Sequence, residues 1–180
     1  MDIKKKTAAT APRETRQYVT FRVGSEEYGL DINSIAEVIR PLKITPLPRM
    51  PEFIEGVINL RGSIIPVVDL RRRFALKAAQ AGQRTARMMI TKGALQERAA
   101  GGRGLLALVV DGVSEVLELA QEQIERAPEA ATGRNADFIA GMGKLGDRLI
   151  ILIHLARILT QQERVALAQA GGGEDGKAGR

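Results

Sequence analysis

An internal repeat constrains this chain more than any other feature. The segment from Phe53 through Leu70 reads as two apolar strands, Gly56 to Leu60 and Ile64 to Val68, joined by a tight turn that carries Asn59, Arg61 and Gly62. A copy recurs 85 positions later, from Phe138 through Leu155. Phe, Ile, Gly, Leu, Ile, Leu and Arg coincide at 53/138, 54/139, 56/141, 60/145, 65/150, 70/155 and 72/157. The copy keeps residues that make a hairpin and lacks Asn59, Arg61 and Asp69. A polar turn kept in only one half of a duplicated scaffold points to a job beyond folding.

The repeat extends upstream. Leu30-Asp31 followed by Glu37-Val38-Ile39 resembles Val110-Asp111 followed by Glu115-Val116-Leu117. Around these lie alternating or apolar runs at Tyr18 to Val23, Tyr28 to Leu30, Ile35 to Ile39, Arg87 to Thr91, Leu105 to Val110 and Val113 to Leu117, then Phe138 to Leu145 and Arg148 to His154. Pro41, Pro46, Pro48 and Pro51 leave no room for a helix between Ile39 and Phe53. Pro66 cannot donate to a ladder and predicts a sheet edge or bulge. Leu70 to Phe74 predicts one helical turn, and Leu155 to Ala170 carries helical spacing. Short strands, short turns and one terminal helix predict a mainly β fold built as small antiparallel barrels.

Length and composition fit that expectation. A chain of 180 residues is one domain, or two small ones sharing a core. Aromatics make up 3%, so Val, Ile and Leu must fill the interior. There is no cysteine, which excludes disulfides, thiol catalysis and thiolate metal sites. Strongly apolar runs such as Leu149 to Ile153 are far too short to span a bilayer, and the reading is of a cytoplasmic chain without membrane insertion. Residues 1–15 read as a disordered basic lead-in, 75–85 as a linker, 96–104 as an exposed tip and 171–180 as a disordered tail.

Nothing here predicts an enzyme, a metal or a cofactor. His154 is the single histidine, without a partner of the kind a usual metal site needs. Asp31, Asp69 and Asp111 each follow an apolar strand, where aspartate commonly caps a turn or short helix. Gly141-Met142-Gly143-Lys144 lacks the spacing of a phosphate loop. The formal charge of +6 and the run Arg71-Arg72-Arg73 raise a nucleic-acid alternative. No aromatic platform accompanies the run, however, and much of the excess charge lies in the first 16 residues. Arg61 stands apart: a tight turn fixes its backbone, and arginine is over-represented among interface anchors.

Taken together, Glu27 to Ile32, Glu37-Val38-Ile39, Gly56-Val57-Ile58-Asn59-Leu60-Arg61-Gly62 and Pro66 to Arg71 resemble the CheW-type chemotaxis coupling proteins. Val109 to Leu117, Ile124, Pro128, Phe138 to Gly141 and Gly146-Asp147-Arg148 extend the resemblance over about residues 15–165. It implies two five-stranded SH3-like β-barrels sharing a hydrophobic seam, with halves at about 17–75 and 87–160 inside a domain at 16–165 and a C-terminal helix. It implies no catalysis and no cofactor. The implied partners are the cytoplasmic tips of methyl-accepting chemoreceptors and the regulatory domain of the histidine kinase CheA, with recruitment to membrane-associated receptor arrays. Matched residue by residue, Ile35, Glu37 and Ile39 fall on a strand that helps form those contacts. Gly56, Asn59, Arg61 and Gly62 fall on the hairpin linked to receptor coupling, and Val109 and Val113 in a groove for the receptor helix tip. The alternatives are a same-fold adaptor for a non-flagellar chemosensory kinase, and a small-barrel nucleic-acid binder.

Overall fold

The computed structural model describes residues 14–76, 85–95, 104–128 and 137–171. The lead-in before residue 14, most of the linker, the tip at 96–103 and the tail from 172 lie outside the described residues. Among the described residues eleven strands form two sheets. The first half supplies β1 (Thr15–Val23), β2 (Glu26–Asp31), β3 (Ile35–Ile39), β4 (Ile54–Leu60) and β5 (Ser63–Asp69), then the short helix α1 (Leu70–Arg73). The second supplies β6 (Arg87–Lys92), β7 (Leu105–Val110), β8 (Gly112–Ala120), β9 (Ile124–Glu125), β10 (Ile139–Leu145) and β11 (Arg148–Ile153), then helix α2 (Gln161–Gly171).

The two sheets do not follow the two halves of the sequence. One runs β8-β1-β2-β11-β10-β9 and the other β3-β6-β7-β5-β4. Each unit therefore joins the first two strands of one half to the later strands of the other, three in the five-stranded sheet and four, with the short β9, in the six-stranded one. The joints match: β3 lies antiparallel to β6 as β8 does to β1, and β5 lies parallel to β7 as β11 does to β2. Parallel neighbours need a long crossover, which a chain with two separate hairpin sheets would not have.

Three apolar clusters follow from this exchange. Ile58, Ile65, Val67, Met88, Ile90 and Ala107 fill the five-stranded unit. Tyr18, Leu117, Leu119, Ile150 and Leu152 fill the six-stranded one. Between them lies the largest cluster, a shared seam with Phe21, Tyr28, Ile54, Leu70, Leu106, Leu108, Phe138 and Leu155 buried in it. The few aromatics concentrate there, with ring centroids 6.0 Å apart for Phe21–Tyr28, 4.9 Å for Tyr28–Phe74 and 4.3 Å for Phe74–Phe138. Arg73 lies over both Phe53 and Phe138, the repeat-related pair, at 5.1 and 5.8 Å. Its Nε donates to the Ile158 carbonyl at 2.6 Å, which ties in the C-terminal segment.

Two expectations need correction. The helical spacing from Leu155 is not one helix: a 3-10 turn at Leu155–Arg157 is followed by a fresh start at Gln161. Thr160 Oγ1 accepts from Glu163 N at 3.3 Å and Glu163 Oε2 accepts from Thr160 N at 2.7 Å, a capping box that begins α2. Pro66 lies on an interior strand. It falls just before Val67–Asp69, the residues paired with β7, so no ladder bond is asked of it on that side.

The repeat also closes both units alike. Thr45 bridges β4 at Val57, and Glu125 of β9 meets Met142 on β10. Gly56 and Gly141 lie beside these crossings because a side chain would not fit. A Cβ on Gly56 would stand 2.0 Å from the Thr45 carbonyl oxygen, and one on Gly141 2.9 Å from that of Glu125. Gly56 also adopts φ of 144°, a region open to glycine almost alone.

Candidate functional site

The polar turn of the first half is built on Arg61 and Gly62, with φ of 51° and 83°. Positive φ at both central residues of a two-residue loop marks a type I′ hairpin, whose twist matches the strands it joins. Asn59 steadies the turn by accepting from Gly62 N through Oδ1 at 2.9 Å. Asn59 and Gly62 therefore have a structural task, which leaves the arginine side chain as the group the turn presents.

Arg61 does not lie back over its own hairpin. It reaches the strand β3 at the edge of the sheet. There Nη1 donates to Glu37 Oε1 at 2.7 Å and Nη2 to Oε2 at 3.0 Å, the paired geometry that suits guanidinium and carboxylate. The hydrogen bonds to Glu37, then its charge, push the arginine above its already high proton affinity. Its side chain remains 74% exposed. An ion pair so open to water adds little to stability, so its value lies in holding Arg61 in one place. Val38, next to Glu37 on β3, and Ile64, just past the turn on β5, are exposed at 41% and 43%, so the two elements that carry the polar pair also offer apolar surface.

The other positions singled out from the sequence distribute along this edge and the seam. Ile35, Glu37 and Ile39 share the half-buried face of β3, with Ala36 and Val38 outward. Ile35 packs on the shared seam and Ile39 on the interior of the five-stranded unit. Val113 packs on the seam too and is the repeat counterpart of Ile35: Ile35 pairs with Thr91 and Val113 with Phe21, each beside a register shift. Val109 is half-buried on β7 against the five-stranded interior. Gly56 is buried at the Thr45 crossing, away from the turn itself.

The sequence comparison of the halves missed a second clasp. Arg148 on β11 donates to Glu27 at 2.6 Å and lies 2.8 Å from Glu115 on β8. Glu115 is the counterpart of Glu37. The exposed neighbours repeat as well, with Val116 at 51% and Leu149 at 49% in the places of Val38 and Ile64. The arginine has moved two positions along the hairpin, from the turn to the following strand, so residue-by-residue alignment reads it as lost. A basic residue in the second hairpin, close in the repeat to the place of Arg61, was the signal available.

Among the described residues no group of three or more metal-ligating side chains is present. No described helix is long and apolar enough to cross a membrane. The titratable groups of the turn serve each other and do not converge on a cleft. What the fold and this edge define is a β scaffold that offers surfaces to other proteins.

The comparisons with known proteins agree. Residues 17–163 match the model of the CheW-like domain. The chain is 37% identical to the chemotaxis protein CheW of Klebsiella aerogenes over 148 residues, covering 82% of this chain and 84% of that protein. It is 32% identical over 151 residues to CheW of Rhizobium meliloti, covering 84% and 92%. The crystal structure of the scaffolding protein TtCheW from Thermoanaerobacter tengcongensis superposes with a TM-score of 0.70 at 35% identity, covering 83% of this chain and 96% of that one. This chain belongs to the CheW family of chemotaxis coupling proteins, which are non-catalytic scaffolds.

Proposed function

We propose that this protein couples methyl-accepting chemoreceptors to the regulatory domain of a CheA-type histidine kinase, as a cytoplasmic adaptor recruited to receptor arrays. The domain that does so spans residues 16–165. The observation that carries the reading is the Arg61–Glu37 clasp on an edge strand flanked by exposed Val38 and Ile64. A fixed polar pair orients a partner, and the apolar margin supplies burial at roughly 25 cal/mol per Å2.

In this reading Ile35, Glu37 and Ile39 with Asn59, Arg61 and Gly62 form the edge that contacts receptor and kinase, and Gly56 keeps the underlying crossing closed. Val109 and Val113 contribute to the apolar wall that faces the receptor helix tip. The test is reconstitution of kinase autophosphorylation from receptor-bearing membranes, kinase and this chain. The parent activates the kinase, and Arg61→Ala activates it poorly while folding normally. Full activation by a folded Arg61→Ala variant overturns the assignment.

A further inference from the structure

The strand registers align the two units more finely than the sequence alone. Tyr18 pairs with Asp31 where Met88 pairs with Val109, and Leu152 pairs with Gly29 where Val67 pairs with Ala107. Arg16 therefore stands in the place of Ala86, and Asn33 in that of Asp111. On the hairpins Ala140, His154, Ala156 and Arg157 stand in the places of Glu55, Asp69, Arg71 and Arg72.

Charge has left the six-stranded unit in two ways. Arg71 and Asp111 form a mostly buried pair in the five-stranded unit, Nη2 to Oδ2 at 2.6 Å, and both are neutral in the other, as Ala156 and Asn33. That loss is balanced. The loss of Glu55 is not. In the five-stranded unit its carboxylate feels the negative charge of Asp69 and the positive charge of Arg72. The six-stranded unit keeps the base, as Arg157, and replaces both acids, by Ala140 and His154.

A cavity of about 360 Å3 opens beside Ala140 and His154. Arg16 and Lys92 line it too, against Asp31 as the single carboxylate among the lining residues. Asp31 Oδ1 already accepts from Asn33 N at 2.8 Å and Nδ2 at 3.0 Å. The side chains of Arg16 and Lys92 have no ion-pair or hydrogen-bond partner among the described residues. Tyr18 and Ser34 are further parts of the wall, and their hydroxyls are equally without a partner there. Tyr18 is only 8% exposed and packs in the six-stranded interior, where a phenol ordinarily finds an acceptor. The cavity thus gathers donors, two of them cationic, around a place where the other unit carries an acid.

We propose that this cavity receives a glutamate side chain of a partner protein, which takes the place that Glu55 fills internally in the other unit. Arg16 and Lys92 supply the positive charge, and Tyr18 and Ser34 supply hydroxyl donors to the carboxylate. The proposal depends neither on the Arg61–Glu37 clasp nor on the coupling reading.

The test is an amide-shift titration of the full chain by nuclear magnetic resonance, at fixed ionic strength, with N-acetyl-glutamate N-methylamide. The glutamine and arginine derivatives and free L-glutamate serve as comparisons. The glutamate derivative is expected to shift amides at Arg16, Tyr18, Ser34, Lys92 and His154 saturably, and the glutamine and arginine derivatives are not. Arg16→Gln is expected to weaken the response roughly fivefold, the upper range for an exposed charge pair. Ala140→Glu restores the acid of the other unit and is expected to abolish the response by filling the cavity from within. No response to the glutamate derivative, an equal response to the glutamine or arginine derivative, or an unchanged response in folded Arg16→Gln overturns the proposal. Tighter binding of free L-glutamate than of the blocked derivative assigns the cavity to a small molecule and overturns it as well.

Discussion

Arg61 and Arg148 stand two positions apart in the repeat, yet each closes on the same glutamate of its unit. Arg61 meets Glu37 at 2.7 Å and Arg148 meets Glu115 at 2.8 Å. A turn that reads as unique to one half is one of two solutions to the same contact. The difference lies in how the arginine is held: Arg61 sits at positive φ in the turn itself, whereas Arg148 lies on a strand and is shared with Glu27. Arg61→Ala and Arg148→Ala are both expected to leave thermal unfolding nearly unchanged, because both pairs are exposed. Arg61→Ala should still weaken partner binding by about tenfold, as loss of an interface arginine does. Melting curves read beside a binding isotherm check both halves of that expectation.

The exchange of strands between units makes a second prediction. Chains cut within the linker, 1–80 and 81–180, each lack the neighbours of β3 or β1 and both parallel joints. Neither is expected to give a cooperative unfolding transition alone. Mixed at equal concentration they should regain one, with the far-ultraviolet circular dichroism of the intact chain. Independent folding of either piece contradicts the topology.

The paired glycines at the closing crossings differ in tolerance. Gly56→Ala places Cβ against the Thr45 carbonyl at a φ that alanine avoids, and should destabilise by about 3–5 kcal/mol. Gly141→Ala meets the Glu125 carbonyl less closely and without the φ penalty, and should cost about 1–2 kcal/mol. Urea titrations of the two variants give the order directly.

Two groups tie stability to pH. Burial, and then the charge of Glu26, pushes the Tyr28 phenol up to about 12. The unfolded chain ionises it near 10, so its contribution is whole at neutral pH and falls as pH rises from there toward 12. Burial, then Asp69, lifts Glu55 above the ordinary carboxylate value against the pull of Arg72. The folded state holds that proton longer, so stability from Glu55 declines as pH climbs through the carboxylate range. Tyr28→Phe should flatten the alkaline limb of a melting temperature profile, and Glu55→Gln the acidic one while raising stability at neutral pH.

Much of this was legible in the sequence because it rests on local pattern. The hairpins, the edge strand at Ile35 to Ile39 and the turn at Arg61 follow from alternation and turn residues. The aspartates at 31 and 69 do cap, accepting from Asn33 N and from Arg71 and Arg72 N. The strand exchange was not legible, because the same alternation serves whichever sheet a strand joins. The Arg148 clasp and the ion pair of Arg71 with Asp111, 2.6 Å apart, were hidden for a related reason. Both depend on side chains that meet across 33 to 121 residues of sequence, and a two-residue slip in the repeat conceals the match.

The most direct test of the coupling account is calorimetric titration of this protein into the regulatory domain of a CheA-type kinase from the same organism. Saturable one-to-one binding, weakened by Glu37→Lys in a variant that folds normally, is the predicted result. No heat of binding at concentrations up to about 50 µM, where a specific contact of this kind would register, contradicts it.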